Sequence, residues 1–154
     1  MILFADRIEV QLSEAMVKNF FSFRQLGKSK ESGGIIIGRK QICCSRYDIT
    51  MITKPSISDM ASRFSFVRDG KHAQKVVNRR NKISNGEENY LGEWHTHPEK
   101  IPHYSETDLA LLMKIRADGT CKFGNPIMII IGIEAFCLLF FDESNKIGIL
   151  DVNF

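Results

Sequence analysis

The longest apolar run of the chain, "PIMIIIGIEAFCLLFF" at residues 126–141, limits its fold more than any other stretch. So many consecutive apolar side chains must leave water, either in a bilayer or in a protein core. The run is shorter than the ~20 apolar residues a membrane-spanning helix requires, and Gly132 and Glu134 interrupt it. Two buried strands joined by a tight turn satisfy both facts. A chain of 154 residues is long enough to bury such a core within one domain. Its 44% hydrophobic and 25% charged content is ordinary for a globular protein. A formal charge of +3 is too small to call for a nucleic-acid partner. "ILFADRIEV", after Met1, lacks the basic start and sustained apolar stretch of a signal peptide. A cytoplasmic location without a membrane partner is therefore expected.

The remaining chain alternates between helical and extended patterns. "ILFADRIEV" reads as an opening strand, and Leu12, Met16, Phe20 and Phe23 recur at helical spacing, with Ser13 as N-cap and Gly27 as the stop. "GGIIIGRK" and "QICCSRYDITMIT" form a strand pair with Arg39, Lys40 and Gln41 between them, closed by Pro55. "SRFSFVRD" is a further short strand. Residues 70–83 form a surface helix resting on Val76, Val77 and Ile83, followed by an Asn85-Gly86 turn. "NYLGEWHTH" is a strand and "SETDLALLMKIRADG" a helix ending at Gly119, with strands at 126–133, 135–141 and 146–152. Helices and strands neither segregate nor strictly alternate, which predicts one α/β domain with a mixed sheet. Cys43, Cys44, Cys121 and Cys137 show no C-x-x-C spacing, so in a reducing compartment they read as small buried apolar residues.

The chemistry concentrates in "GEWHTHPEKIPHYSETD", residues 92–108. Residues i and i+2 of a strand share a face, so His95 and His97 can aim at one point while Thr96 faces away. Pro98 cannot continue the ladder, which sets the pair at the exposed end of the strand. Asp108, in the first turn of the next helix, is close enough in sequence to fold back as a third ligand. Two neutral imidazoles and a carboxylate suit zinc, with a fourth position left for water whose pKa falls towards ~7. Each piece also has a plainer reading: a polar strand face, and a capping box in which Ser105 and Asp108 close the helix end. His103 is a solvated loop residue or a substrate contact, and His72 belongs to the surface helix. Glu31, beside Gly33 and Gly34, is the available general base, or else an exposed loop carboxylate.

Taken together, Glu31, His95-Thr96-His97-Pro98, the seven residues between His97 and Ser105, and Ser105-x-x-Asp108 resemble the JAMM signature of the MPN-domain metalloproteases. The resemblance extends over most of the chain through the order of its elements. The flanks "ESGGIIIG", "SRFSFVRD" and "YLGEWHTHPE" further resemble a bacterial subgroup of short JAMM proteins found beside ubiquitin-activating-like enzymes in anti-phage CBASS operons. It implies an MPN/JAB-type α/β fold, a mixed curved sheet flanked by helices.

It also implies roles. His95, His97 and Asp108 hold zinc; Glu31 takes a proton from water and passes it to the leaving amine; Ser105 donates a hydrogen bond to the oxyanion. The implied reaction is hydrolysis of a peptide or isopeptide bond at a protein's C-terminal tail, the substrate in the defence setting being a conjugated nucleotidyltransferase (CD-NTase). Two other readings are a JAMM hydrolase trimming a sulfur-carrier protein, and a binding module with a vestigial site. Between Glu31 and the histidines, Arg68, Lys71, Lys75, Arg79, Arg80 and Lys82 stand against one acidic residue, Asp69. Arg79 and Arg80 are the expected tail contacts, the alternative being a solvated helix face.

Overall fold

The computed structural model describes residues 1–5, 8–41 and 45–153. Strands β1 (Ile2–Ala5), β2 (Ile8–Gln11), β3 (Gly33–Gln41), β4 (Arg46–Ile52), β7 (Asn89–Thr96), β8 (Ile127–Ile131), β9 (Ala135–Phe141) and β10 (Ile147–Asn153) form one sheet. Its order is β1-β2-β4-β3-β7-β8-β9-β10. The pairs β2·β4 and β7·β8 are parallel and the others antiparallel. The edge strands β1 and β10 approach each other, so the sheet curls. The short β5 (Met60–Ala61) and β6 (Phe66–Val67) make a separate hairpin.

Both faces of the sheet are covered. Helix α1 (Glu14–Ser22) packs Phe20 edge-on against Trp94, in a core with Ile36, Ile129, Phe136 and Leu138. Helix α2 (Gly70–Ile83) sets Ala73 and Val77 on Ile35, Ile37 and Tyr90 of the opposite face. Helix α3 (Glu106–Ala117) sets Leu112 on Met128, Ile130 and Leu139 of that same face. Strands sandwiched in this way are apolar throughout rather than alternating. That is why β8 and β9, the two halves of the long apolar run, are buried at every position.

The expected mixed α/β sheet is present, with local corrections. The opening segment is two strands, paired from Ile2↔Gln11 to Ala5↔Ile8. Helix α1 stops at Ser22, not at Gly27: Phe23 caps it and the Arg24 side chain donates to the Phe21 carbonyl at 3.0 Å. Gly27 takes the left-handed conformation in the turn beyond. Arg39, Lys40 and Gln41 do not form the turn; they extend β3, opposite Asp48, Tyr47 and Arg46. Of "SRFSFVRD" only Phe66–Val67 is strand. On α2, Ala73 takes the buried place expected of Ile83, which is 62% exposed. Cys121 and Cys137 are buried and free; Cys43 and Cys44 lie outside the described residues.

One irregularity in β7 decides which side chains reach the site. Ile36 pairs with Gly92 but Ile37 with Tyr90, leaving Leu91 as an extra residue. Such a bulge re-aims the chain on either side of it. Leu91 joins Trp94 in the α1-side core, whereas Tyr90 bonds Glu93 on the other face, two residues before His95. Gly92 is required there, at φ +155, where a Cβ would stand only 1.7 Å from the Ile127 carbonyl oxygen. Gly92→Ala should therefore destabilise the protein by about 3 kcal/mol or more, read from the denaturant midpoint. An unchanged midpoint would contradict this role of the bulge.

Candidate metal centre

Three elements bring the polar side chains together at the end of β7. His95 is the penultimate residue of β7, opposite Gly33 of β3. His97 follows the strand and is held by its N–H to the Ile131 carbonyl at 2.9 Å. Thr96, fully buried and pointing away, receives the Ser32 N–H on its hydroxyl at 3.0 Å, and its own N–H donates to the Ser32 carbonyl at 2.9 Å. These bonds hold the neighbouring Glu31 beside the histidines. Asp108 arrives from the first turn of α3.

The donor atoms converge. His95 Nε2 and His97 Nε2 are 3.2 Å apart, and His95 Nε2 is 3.0 Å from Asp108 Oδ1. His97 Nε2 is 3.7 Å from both Asp108 Oδ2 and Glu31 Oε1. Ligand atoms around one tetrahedral ion with bonds of 2.0–2.1 Å stand about 3.3 Å from each other, so this set of two imidazoles and carboxylate oxygens fits a divalent metal. Glu31, His95 and His97 alone offer atoms all within 4.8 Å of one another, so distance does not by itself say which carboxylate is ligand and which is base.

Electrostatics separates the two acids. Burial alone would raise Asp108, but the hydrogen bond and charge of His95, with two bonds from Ser105, outweigh it and hold the carboxyl down at about 2. Burial pushes Glu31 up to about 7, against the attraction of His95 and with the repulsion of Asp108. Burial and the charge of His95 lower His97 below the usual imidazole range, which favours the neutral ring that a metal needs. Two carboxylates with well-separated proton affinities are suited to two different roles.

The sign of the Glu31 shift sets a stability test. Its folded pKa lies above the ordinary 4.5, so the metal-free folded state binds the extra proton between pH 4.5 and 7 and loses stability as pH rises through that window. Glu31→Gln removes this slope. In chelator at pH 8 it should be more stable than wild type by about 2 kcal/mol, with little difference at pH 4.5. Parallel denaturation curves at the two pH values would refute this.

The capping box and the site coexist because Asp108 divides its oxygens. Oδ2 accepts the Ser105 N–H at 2.6 Å and the Ser105 hydroxyl at 2.7 Å, while Oδ1 faces His95. Ser105 Oγ in turn accepts the Asp108 N–H at 3.2 Å. Above these residues opens a cleft of about 570 Å³, walled on one side by Phe64, Phe66 and Val67 and on the other by Thr107 and Leu111. The three expected substrate contacts lie outside it. Arg80 donates to Glu88 at 2.8 Å. Arg79 is exposed on α2, and His103 is exposed on the loop after β7, its ring 3.2 Å from Glu99. Arg68 and Glu93 do line the cleft; the sequence offers no spacing that marks them.

Residues 13–141 match the Prok-JAB family, described as prokaryotic homologs of the JAB domain. A CD-NTase/cGAS isopeptidase of Escherichia coli is 37% identical over 134 residues, covering 85% of this chain and 82% of that one. A second protein of the same name, from Vibrio cholerae, is 38% identical over 60% of this chain and 59% of its own. A probable metalloprotease of Sinorhizobium fredii is 29% identical over 77% of this chain and 70% of its own. In fold, the chain is similar to the solution structure of a Desulfitobacterium hafniense protein, with TM-score 0.58 and 14% identity over 94% of this chain and 90% of that one. The chain belongs to the prokaryotic JAB family, and it is an enzyme of the JAMM peptidase type with a metal implied by that family. Among the described residues, no helix is long and apolar enough to cross a membrane.

Proposed function

We propose that the protein is a zinc-dependent isopeptidase that hydrolyses the bond between the C-terminal tail of a conjugated protein and its target amine. The observation that carries this reading is the convergence of His95, His97, Asp108 and Glu31 in the cleft, and it is supported by an Asp108 carboxyl held down at about 2 and a Glu31 carboxyl pushed up to about 7. In this reading His95, His97 and Asp108 hold the zinc, which when bound polarises the scissile carbonyl and acidifies water. Glu31 takes the proton from the attacking water and delivers it to the leaving amine. Ser105 turns its hydroxyl from Asp108 Oδ2 to the developing oxyanion, and Asp108 keeps its second bond, from the Ser105 N–H. No side chain acts as a nucleophile.

The names of the Escherichia coli and Vibrio cholerae relatives support a CD-NTase conjugate as substrate. A ubiquitin-activating-like enzyme is the partner that would make such a conjugate. The exposed side of α2, with Lys71, Lys75, Arg79 and Lys82, then serves as a contact for acidic surface on the substrate's body. Arg79→Glu should raise KM for the full conjugate severalfold at low salt, less at high salt, and leave a short tail peptide unaffected; an equal KM for the full conjugate would remove this contact. The decisive experiment is cleavage of a CD-NTase conjugate with and without chelator. Cleavage restored by added zinc supports the reading, and chelator-resistant cleavage contradicts it.

A further inference from the structure

The hairpin β5–β6 is tied down at two ends. At its tip, the Ser62 carbonyl accepts the backbone N–H of Glu31 at 2.7 Å, and the Arg63 carbonyl accepts the buried Gln25 side chain at 2.6 Å. At its base, Arg68 grips Glu93 with both nitrogens of one edge: Nε lies 2.8 and 2.9 Å from the two carboxylate oxygens and a terminal nitrogen 2.8 Å from Oε1. Tyr90 donates a further bond to the same carboxylate at 2.8 Å. Glu93 is 6% exposed and stands two residues before His95 on β7. Between the two ties, the Phe66 ring lies so close over Gly33 that a Cβ there would meet it at 2.5 Å. The hairpin thus bridges the strand that carries His95 and the backbone of Glu31.

We propose that Arg68 is a positioning residue: through Glu93 it clamps the β5–β6 hairpin to the site strand, and the hairpin tip in turn holds Glu31 in place over the histidines. The physical basis is the cost of leaving a buried carboxylate without its partner, which makes the closed arrangement the one in which Glu93 is satisfied. A bidentate guanidinium fixes direction as well as distance, which a lysine ammonium does not. The apolar wall of the cleft, Phe64, Phe66 and Val67, moves with the same hairpin, so the clamp also sets the width of the cleft.

Only the clamp's effect on turnover rests on Glu31 as the base; amide hydrogen exchange tests the clamp independently. In wild type, the Glu31 and Ser62 amides should exchange with one common opening free energy. Arg68→Met with Glu93→Gln, which removes both charges together, should speed exchange at Glu31 and at residues 62–67 by about tenfold or more. It should also lower kcat on a conjugate by roughly 10–100-fold while metal affinity stays as in wild type. Arg68→Lys should recover only part of kcat. Unchanged exchange at Glu31 in the double variant, or unrelated opening of Glu31 and Ser62 in wild type, would overturn the clamp. Faster exchange with unchanged turnover would also overturn the positioning role, while Glu31 as base is tested separately by Glu31→Gln.

Discussion

Glu31→Gln is expected to keep its metal and to lose about 10²–10⁴-fold in turnover. The size follows from the proton transfers asked of this side chain. A positioned acid whose proton affinity lies near neutral pH can both accept and return a proton, and an amide can do neither. Burial already holds Glu31 at about 7. Retention of metal follows from the three other donors, because His95, His97 and Asp108 stand 3.0–3.7 Å apart without it. Activity and metal content must be measured on the same sample. Turnover at the wild-type rate would end the assignment as base. Loss of metal would mean that Glu31 is itself a ligand, in the trio it forms with His95 and His97.

Asp108 should give the second large effect, in two separable parts. Asp108→Ala removes a ligand and also the acceptor for the Ser105 N–H and hydroxyl. Metal affinity should fall by at least ~100-fold, activity with it, and metal-free stability by about 1 kcal/mol through the lost cap. Asp108→Asn can still accept at the helix start but lacks the charge that His95 and Ser105 stabilise. Its metal-free stability should stay near wild type while metal affinity still falls strongly. A chelator-competition titration beside thermal denaturation reads both quantities. Wild-type metal affinity in the asparagine variant would show that Asp108 is only a cap.

The parts of the site with local spacing were legible in the chain. Strand period put His95 and His97 on one face and a capping pattern put Ser105 and Asp108 at a helix start, but each also had a plainer reading; the resemblance to the JAMM signature joined them, with Glu31, into one site. Parts that depend on long-range register were not. Arg68 and Glu93 are 25 residues apart and meet only because the hairpin folds over β7. The Leu91 bulge, which puts Tyr90 and Glu93 on one face, breaks the alternation by which strand faces are read. Arg79 and Arg80 were read from charge, which does not say which way α2 turns them: Arg80 meets Glu88, and Arg79 stays exposed, open to the contact proposed above.

What the sequence by itself determined is local: which imidazoles share a face, which acid stands at a helix start, and which apolar run must be buried. Hydrophobic period and capping chemistry act within a few residues, so they are written locally. Only the tertiary structure decided how the two carboxylates differ. Asp108 is held ionised by His95 and Ser105, and Glu31 is held near neutrality by burial. Proton affinity depends on the charges and solvent within a few ångströms, and in this site those neighbours come from β3, β7, α3 and the hairpin that crosses them.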